Sequence, residues 1–340
     1  MKKLTNLNAF FAAVAAKQAL YLPVDNSVGK AEYKKWQDGT VMSDALNTAR
    51  SAKDFFFPQT ENLMEFKMQG KKIDVIDTRE ECEDFVIFGV RACDAASFDI
   101  LDRVYLVDPV DSYYKNRREH GTVVTMACGR PTDTCFCQTF GIDAADPKGD
   151  VTVWEVEGGF ALRANTAKGE ALLAKVADLV ADTADTAADE AKAKIRTILG
   201  KLPLANLTTE GLGVGLTKEF FDRPEWASLS ESCLGCGTCT FHCPTCQCYD
   251  IRDFDTGHGI QRFRCWDSCM YSDFTKMAHG NSRVSQLERF RQRFMHKLVY
   301  FPDNTDGIFG CVGCGRCLSK CPISMNIVKV MKVLAKGGNE

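Results

Sequence analysis

Two runs of cysteines in the last third of the 340-residue chain have the spacing Cys-x-x-Cys-x-x-Cys-x-x-x-Cys-Pro. Thiolates at this spacing ligate iron–sulfur clusters, because one short loop reaches three corners of a 4Fe-4S cubane and the proline then turns the chain away. In two-cluster ferredoxins the fourth cysteine of each run binds the other cluster. The sequence therefore predicts two crossed 4Fe-4S clusters, the first held by Cys233, Cys236, Cys239 and Cys321 and the second by Cys311, Cys314, Cys317 and Cys243.

Zinc is the alternative for such runs, since paired cysteines also suit tetrahedral Zn²⁺. Zinc sites seldom compress four cysteines into one run, twice in a chain, with proline after each run. Neither run contains an open ligand position, a nucleophile with a neighbouring base, or paired carboxylates. The pattern therefore favours electron transfer over substrate chemistry, and no catalytic residue is assigned.

Four more cysteines lie in the first half of the chain, and two of them follow apolar runs of strand length, 84–90 and 122–127. If these strands are neighbours in one sheet, their following residues emerge at the same edge. The four thiolates would then converge on a third 4Fe-4S cluster; zinc, or simple burial of the thiols, are the alternatives. The members of this N-terminal set are Cys93, Cys128, Cys135 and Cys137.

Between the two runs lie Cys246, Cys248, Cys265 and Cys269, for which burial as small apolar side chains competes with an extra cluster. The basic stretch 283–297 is predicted to be helical. Its arginines could form a solvated helix face, dock a partner, or balance the charge of the clusters.

The elements that position these cysteines are predicted to be mixed. Apolar spacing predicts a helix over 7–20 and another over 95–105, and alternation on both sides of a Gly-Gly turn predicts a hairpin of 151–157 with 159–164. The stretch 167–201 predicts two helices with a capped break. We expect an α+β fold with a mixed α/β domain at 1–165, a helical connector and linker at 166–222, and a two-cluster ferredoxin-like domain at 223–340.

Composition limits the function classes. A formal net charge of -3 gives no basic field for nucleic acid or an anionic membrane surface. No stretch reaches the roughly 18 apolar residues that a spanning helix needs, so a soluble cytoplasmic protein is expected. In that compartment the 17 cysteines are expected to be reduced and to serve metals.

The chain resembles a known family, which comprises an iron–sulfur subunit of anaerobic sulfite reductase and the related beta subunit of sulfhydrogenases, which are NADP-reducing NiFe hydrogenases. The likeness spans most of the chain, and Cys82 and Cys265 lie outside its motifs. Besides the second cysteine run, the motifs that carry it are Arg91-Ala-Cys-Asp94, Arg118-Glu-His120, Cys135-Phe-Cys137, Cys243-Pro-Thr-Cys-Gln-Cys-Tyr249, Trp266-Asp-Ser-Cys269 and His296-Lys297.

The resemblance implies an electron conduit of anaerobic metabolism, placed between a flavoprotein subunit that uses NAD(P)H and a catalytic subunit of hydrogenase or sulfite reductase type. One alternative is a stand-alone iron–sulfur enzyme that binds flavin or a substrate, although no dinucleotide fingerprint is present. Another is a redox sensor or scaffold with structural clusters.

Overall fold

The computed structural model describes residues 1–45 and 47–335. In this part of the chain the strands are β1 Lys2–Leu4, β2 Ala19–Asp25, β3 Ala31–Lys35, β4 Thr60–Gln69, β5 Lys72–Asp77, β6 Phe85–Val90, β7 Gly121–Met126, β8 Val151–Val156, β9 Gly159–Ala164, β10 Val180–Asp182, β11 Tyr249–Asp255, β12 Gly259–Trp266, β13 Lys276–Met277 and β14 Gly280–Asn281.

The helices are α1 Leu7–Ala15, α2 Ala92–Tyr105, α3 Ser112–His120, α4 Ala167–Lys175, α5 Asp189–Leu199, α6 Thr217–Phe221, α7 Glu225–Glu231, α8 Thr238–Phe241, α9 Gln286–Met295, α10 Phe301–Asn304, α11 Arg316–Lys320 and α12 Ile327–Leu334. A π-helical turn at His296–Tyr300 joins α9 to α10.

The main sheet has eight strands in the order β10-β1-β9-β8-β7-β6-β2-β3. Its central pairs, β2 with β6, β6 with β7 and β7 with β8, are parallel, and the outer pairs are antiparallel. Every residue of β6 is buried, because helices and loops cover both faces of the sheet at its centre. The chain therefore leaves β6 and β7 at the same edge of the sheet, and this edge is buried.

A second sheet has the antiparallel order β11-β12-β4-β5. It combines two strands from the first quarter of the chain with two strands that lie between the cysteine runs. The register pairs Cys265 with Thr60 and Gly259 with Lys67. The segment between the runs is thereby fixed to the N-terminal half, across the predicted domain boundary at 223.

The predicted α+β class is confirmed, and the predicted hairpin is present as β8 and β9. Two local predictions needed correction. The first helix ends at Ala15 and not at residue 20. The amides of Lys17 and Gln18 donate to the Val14 carbonyl, and the following apolar residues form β2. The break between α4 and α5 contains strand β10, which pairs with β1. The division into three domains stays a prediction.

In the described residues, every helix is too short or too polar to cross a lipid bilayer.

Candidate iron–sulfur centres

The first triad, Cys233, Cys236 and Cys239, lies on the loop from α7 into α8. Its glycines, Gly235 and Gly237, have φ of +64° and +70°, which lets the loop curl tightly around its own centre. The Gly235 amide donates to Cys233 Sγ at 3.5 Å, and the Cys236 side chain is exposed. The first triad therefore lies at the protein surface.

The second triad, Cys311, Cys314 and Cys317, lies on the loop into α11 and repeats this geometry. Gly313 and Gly315 have φ of +58° and +75°, and the Gly313 amide donates to Cys311 Sγ at 3.5 Å. This triad is deeper in the protein, and burial raises the pKa of Cys311 to about 12. Thiols so placed ionise readily only when a metal replaces their protons.

The predicted fourth ligands differ in how far the structure supports them. Cys243 is buried, and a negative charge on it raises the pKa values of Cys311, Cys314 and Cys317. Cys243 therefore lies beside the second triad, as crossed ligation requires. Cys321 donates from Sγ to the Met325 carbonyl at 3.3 Å, and its place as the fourth ligand of the first triad stays a prediction.

Two cations of the basic helical stretch point between the triads. Arg293 is 2% exposed and donates from Nε to Cys239 Sγ at 2.9 Å. Burial disfavours the charge of Lys297, but the nearby thiolates of Cys243 and Cys246 raise its pKa above the usual value. Of the three alternatives for this stretch, the structure favours charge balance for these two residues.

The N-terminal set is brought together at the edge predicted for it. Cys93 is the second residue of α2, just after β6, and Cys128 follows β7; these strands are parallel neighbours. Burial raises the pKa of Cys137 to about 12, and the charges of Cys128 and Cys135 act in the same direction. All four thiols are at most 7% exposed.

Arg91 lies among these thiols and is 3% exposed. Its Nη2 donates to Cys135 Sγ at 3.0 Å, while Nε and Nη1 are buried without a hydrogen-bond partner. Although burial opposes ionisation, the Arg91 charge and hydrogen bonds from Thr132 lower the pKa of Cys135. Buried guanidinium donors of this kind suit the sulfides of a 4Fe-4S cluster, so the residues present fit the group.

The loop of the N-terminal set packs directly on the second triad. The Phe136 amide donates to the Gly313 carbonyl at 2.9 Å. A Cβ on Gly313 would lie 2.4 Å from the Phe136 oxygen, and one on Gly315 would lie 2.4 Å from the Thr134 oxygen. Only glycine allows this approach, so both second-triad glycines have a role that ferredoxin spacing alone does not predict.

A buried ion pair stabilises the contact between the N-terminal set and the second triad. Arg316, inside the second triad, donates to Asp94 at 2.5 and 2.7 Å, and Asp94 directly follows Cys93. The side chains are 2% and 0% exposed. Arg316 also donates to the Thr48 carbonyl at 3.0 Å.

The remaining cysteines separate into two groups. Cys246, Cys248 and Cys269, which we call the middle set, follow one another as electrostatic neighbours, and Cys246 also neighbours Cys243 and the buried cation Lys53. Cys265 is half-buried on β12 with Arg252, Asp250 and Asp267 as its charged neighbours, and Cys82 lies beside Arg117 near the second sheet.

Among the described residues, no three His, Cys, Asp or Glu side chains form a group that could hold a single metal ion. Thiolates on one Zn²⁺ lie only about 3.8 Å apart, given Zn–S bonds of about 2.3 Å in a tetrahedron. In a cubane each thiolate binds a different iron, so the thiolates of a cluster stand farther apart than those of a single ion. A 4Fe-4S cluster therefore needs a wider arrangement of thiols than a single zinc ion does.

Sequence reasoning missed four charged side chains around the thiols. Arg91, Asp94 and Arg316 were inside recognised motifs, and their position next to cysteines was the available signal. Nothing in the sequence around Lys53 indicates that it lies near thiols, because it reaches the middle set from a short turn far away in sequence.

Comparisons with known proteins agree with this geometry. Residues 232–325 match the family described as 4Fe-4S dicluster domain. The sulfhydrogenase 2 subunit beta of Pyrococcus furiosus is 33% identical over 296 residues, which cover 86% of this chain and 85% of the relative. No solved structure matches the chain. The chain therefore belongs to the family of iron–sulfur proteins that includes this sulfhydrogenase beta subunit, as its motifs predicted.

Proposed function

We propose that the chain is the electron-transfer subunit of a cytoplasmic oxidoreductase complex. It relays electrons between a flavoprotein subunit that uses NAD(P)H and a catalytic subunit of hydrogenase or sulfite reductase type. The first triad with Cys321, the second triad with Cys243, and the N-terminal set would each hold a 4Fe-4S cluster. Such clusters supply one-electron transfer at potentials set by their surroundings.

The observation that carries the proposal is the continuity of the three thiol sets. Arg293 contacts Cys239 of the first triad. Negative charges on Cys317 and Cys243, at the second triad, raise the pKa of Arg293. The Phe136–Gly313 hydrogen bond then joins the second triad to the N-terminal set. A protein whose clusters are only structural does not need neighbouring cluster sites, whereas electron transfer through several clusters depends on short distances between them.

One end of this chain of sites lies at the surface. Cys236 is exposed, and the apolar side chains of Leu234 and Tyr271 are exposed beside it, with the Tyr271 hydroxyl donating to the Cys236 carbonyl at 3.3 Å. A partner protein that docks here would meet the first triad directly. The N-terminal set is buried at the other end.

Cluster content is the first test. We expect about eight iron atoms from the two triads and about four more from the N-terminal set. The variant Cys135→Ser/Cys137→Ser should lose the latter, while the control Cys82→Ser should lose none. An iron and sulfide content unchanged in the double variant would remove the N-terminal set from the relay.

Electron delivery is the second test. The anaerobic protein should be reduced by NAD(P)H only when a flavoprotein that copurifies with it is present, and the reduced clusters should be reoxidised by the copurifying catalytic subunit. Slow reduction by every flavoprotein donor, with the clusters intact, would favour the redox-sensor alternative.

The stand-alone enzyme alternative has one observation in its favour. A cavity of about 510 Å³ lies between α2 and the second triad, and its lining includes Asp99, Arg103, Lys148 and Cys311. Flavin analysis of the purified chain separates the two functions. We expect no bound flavin, and a flavin content near one per chain would favour the enzyme.

A further inference from the structure

Arg91 is a buried cation whose hydrogen-bonding groups are only partly used by the protein. Its Nη2 donates to Cys135 Sγ at 3.0 Å, whereas Nε and Nη1 are buried without an acceptor in the part of the chain that the structure describes. Buried donors are nearly always paired, because an unpaired one loses its hydration without a replacement. The two unpaired nitrogens of Arg91 therefore indicate an acceptor outside the polypeptide.

Two other buried arginines lie beside the cluster thiols, and the protein pairs all of their nitrogens. Arg293 uses its three nitrogens on the backbone and thiols of two cysteines. Arg316 uses its three on Asp94 and Thr48. Both oxygens of Asp94 are taken in this way, so this carboxylate does not serve as the acceptor for Arg91.

The remaining charged neighbours of Arg91 are thiols of the N-terminal set. Burial opposes the ionisation of Arg91, but negative charges on Cys93, Cys128 and Cys135 raise its pKa above the usual range. The side chain is 3% exposed, so bulk water does not balance its charge. A buried guanidinium needs an anionic partner, and here that partner is the N-terminal set together with the group that it holds.

The backbone on both sides of Arg91 fixes its position. The register of β6 against β7 shifts by one residue between Phe88 and Val90, where Gly89 has φ of +77°. Such a bulge moves the side chains that follow it to the opposite face of the strand. Directly after the strand, Arg91 caps α2, and its carbonyl accepts from the Ala95 amide at 2.9 Å. The guanidinium is therefore positioned by a strand and a helix, and not by a loop.

We propose that Arg91 is a positioning residue for the N-terminal cluster: Nε and Nη1 donate to sulfur atoms of that cluster, and the guanidinium charge stabilises its reduced state. Reduction adds one negative charge to a cluster, and hydrogen bonds to its sulfurs favour that form. The inference rests on the proposed function, because it requires a cluster at the N-terminal set. It names the residue that allows the buried end of the relay to accept an electron.

The first test is a redox titration of the anaerobic holoprotein of Arg91→Lys, followed by electron paramagnetic resonance. Lysine keeps the charge but has one donor nitrogen instead of three. At a fixed potential the ratio of reduced to oxidised N-terminal cluster should fall by about tenfold, because a hydrogen bond to a charged group contributes about that factor. The corresponding potential is lower by about 60 mV.

Arg130→Lys is the matched control. Arg130 lies two residues after Cys128, but it is exposed and forms its ion pair with Glu155. The ratio should be the same in this variant as in the parent. An unchanged ratio in Arg91→Lys, at the full iron content of about twelve atoms, would overturn the proposal.

A second measurement needs no change at Arg91, so it decides the question if Arg91→Lys fails to bind the cluster. The parent holoprotein, isotopically labelled at its arginine nitrogens, should show a nitrogen coupling to the reduced N-terminal cluster in pulsed electron paramagnetic resonance. This coupling should be absent from labelled Cys135→Ser/Cys137→Ser. Identical arginine couplings in the two proteins would overturn the proposal.

The iron count separates this inference from the proposed function. About eight iron atoms in the parent, unchanged in Cys135→Ser/Cys137→Ser, would remove the N-terminal cluster and with it the role of Arg91. About twelve iron atoms with an unchanged ratio in Arg91→Lys would refute only the role of Arg91 and leave a relay of three clusters.

Discussion

The buried ion pair between Arg316 and Asp94 should dominate the stability of the contact between the second triad and the N-terminal set. Both carboxylate oxygens accept from the guanidinium, and neither side chain is more than 2% exposed. Removing one partner of such a pair leaves an uncompensated buried charge, which costs about 3 to 5 kcal/mol. Arg316→Met is the cleaner variant, because Asp94 also lies in the first turn of α2 and interacts with its dipole.

The expected change in melting temperature follows from chain length. An unfolding entropy of about 2.1 cal/mol/K per residue gives about 0.7 kcal/mol/K for 340 residues. A loss of about 3 to 5 kcal/mol therefore lowers the melting temperature by about 4 to 7 °C. The assay is anaerobic thermal unfolding of protein with matched iron content, followed by the fluorescence of buried tryptophan.

Two further variants decide whether the pair is the cause. The double variant Asp94→Asn/Arg316→Met should lose less than the sum of the single variants, since it leaves no isolated charge. Arg196→Met, which breaks an exposed pair with Asp143, should leave the melting temperature unchanged. A melting temperature for Arg316→Met within about 1 °C of the parent, or strict additivity in the double variant, would refute the reasoning.

Three other predictions each concern a single residue. Arg293→Gln removes a charged donor to Cys239 and should lower the reduction potential of the first cluster by up to about 100 mV at unchanged iron content, as measured by redox titration. Gly313→Ala places a Cβ against a backbone carbonyl and should melt several degrees below Gly141→Ala, which has the same left-handed backbone but open space; equal melting temperatures would contradict the contact. Burial lowers the pKa of His296 to about 4, so the unfolded chain protonates first and stability falls as the pH drops below about 6.5. His296→Gln should therefore lose about 1.3 kcal/mol less than the parent between pH 7.5 and 5.5 in urea unfolding.

Local pattern was enough to predict the parts of the fold that repeat or alternate. The cysteine runs, the strands before Cys93 and Cys128, and the β8–β9 hairpin all follow from spacing within a dozen residues. From adjacent strands one could also predict that the N-terminal set meets at one edge, because parallel strands end together.

What could not be predicted depends on contacts between distant segments. Nothing in the periodicity of β4 or β12 indicates that they pair, because a strand pattern names a buried face but not a partner. Lys53 and Thr48 reach the cluster region for the same reason, through the tertiary fold alone. In the basic stretch, composition could not separate the buried Arg293 from its half-exposed neighbours.

The hydrogen bond from Phe136 to Gly313 has a consequence for biosynthesis. A ribosome releases the N-terminal set long before the loop that covers it has been made. During that interval these thiols are open to iron delivery, and also to oxidants, on a partly finished chain. Once the second triad folds, its loop packs on the backbone of residues 134–136, so the N-terminal set is more accessible on the partly finished chain than in the folded protein.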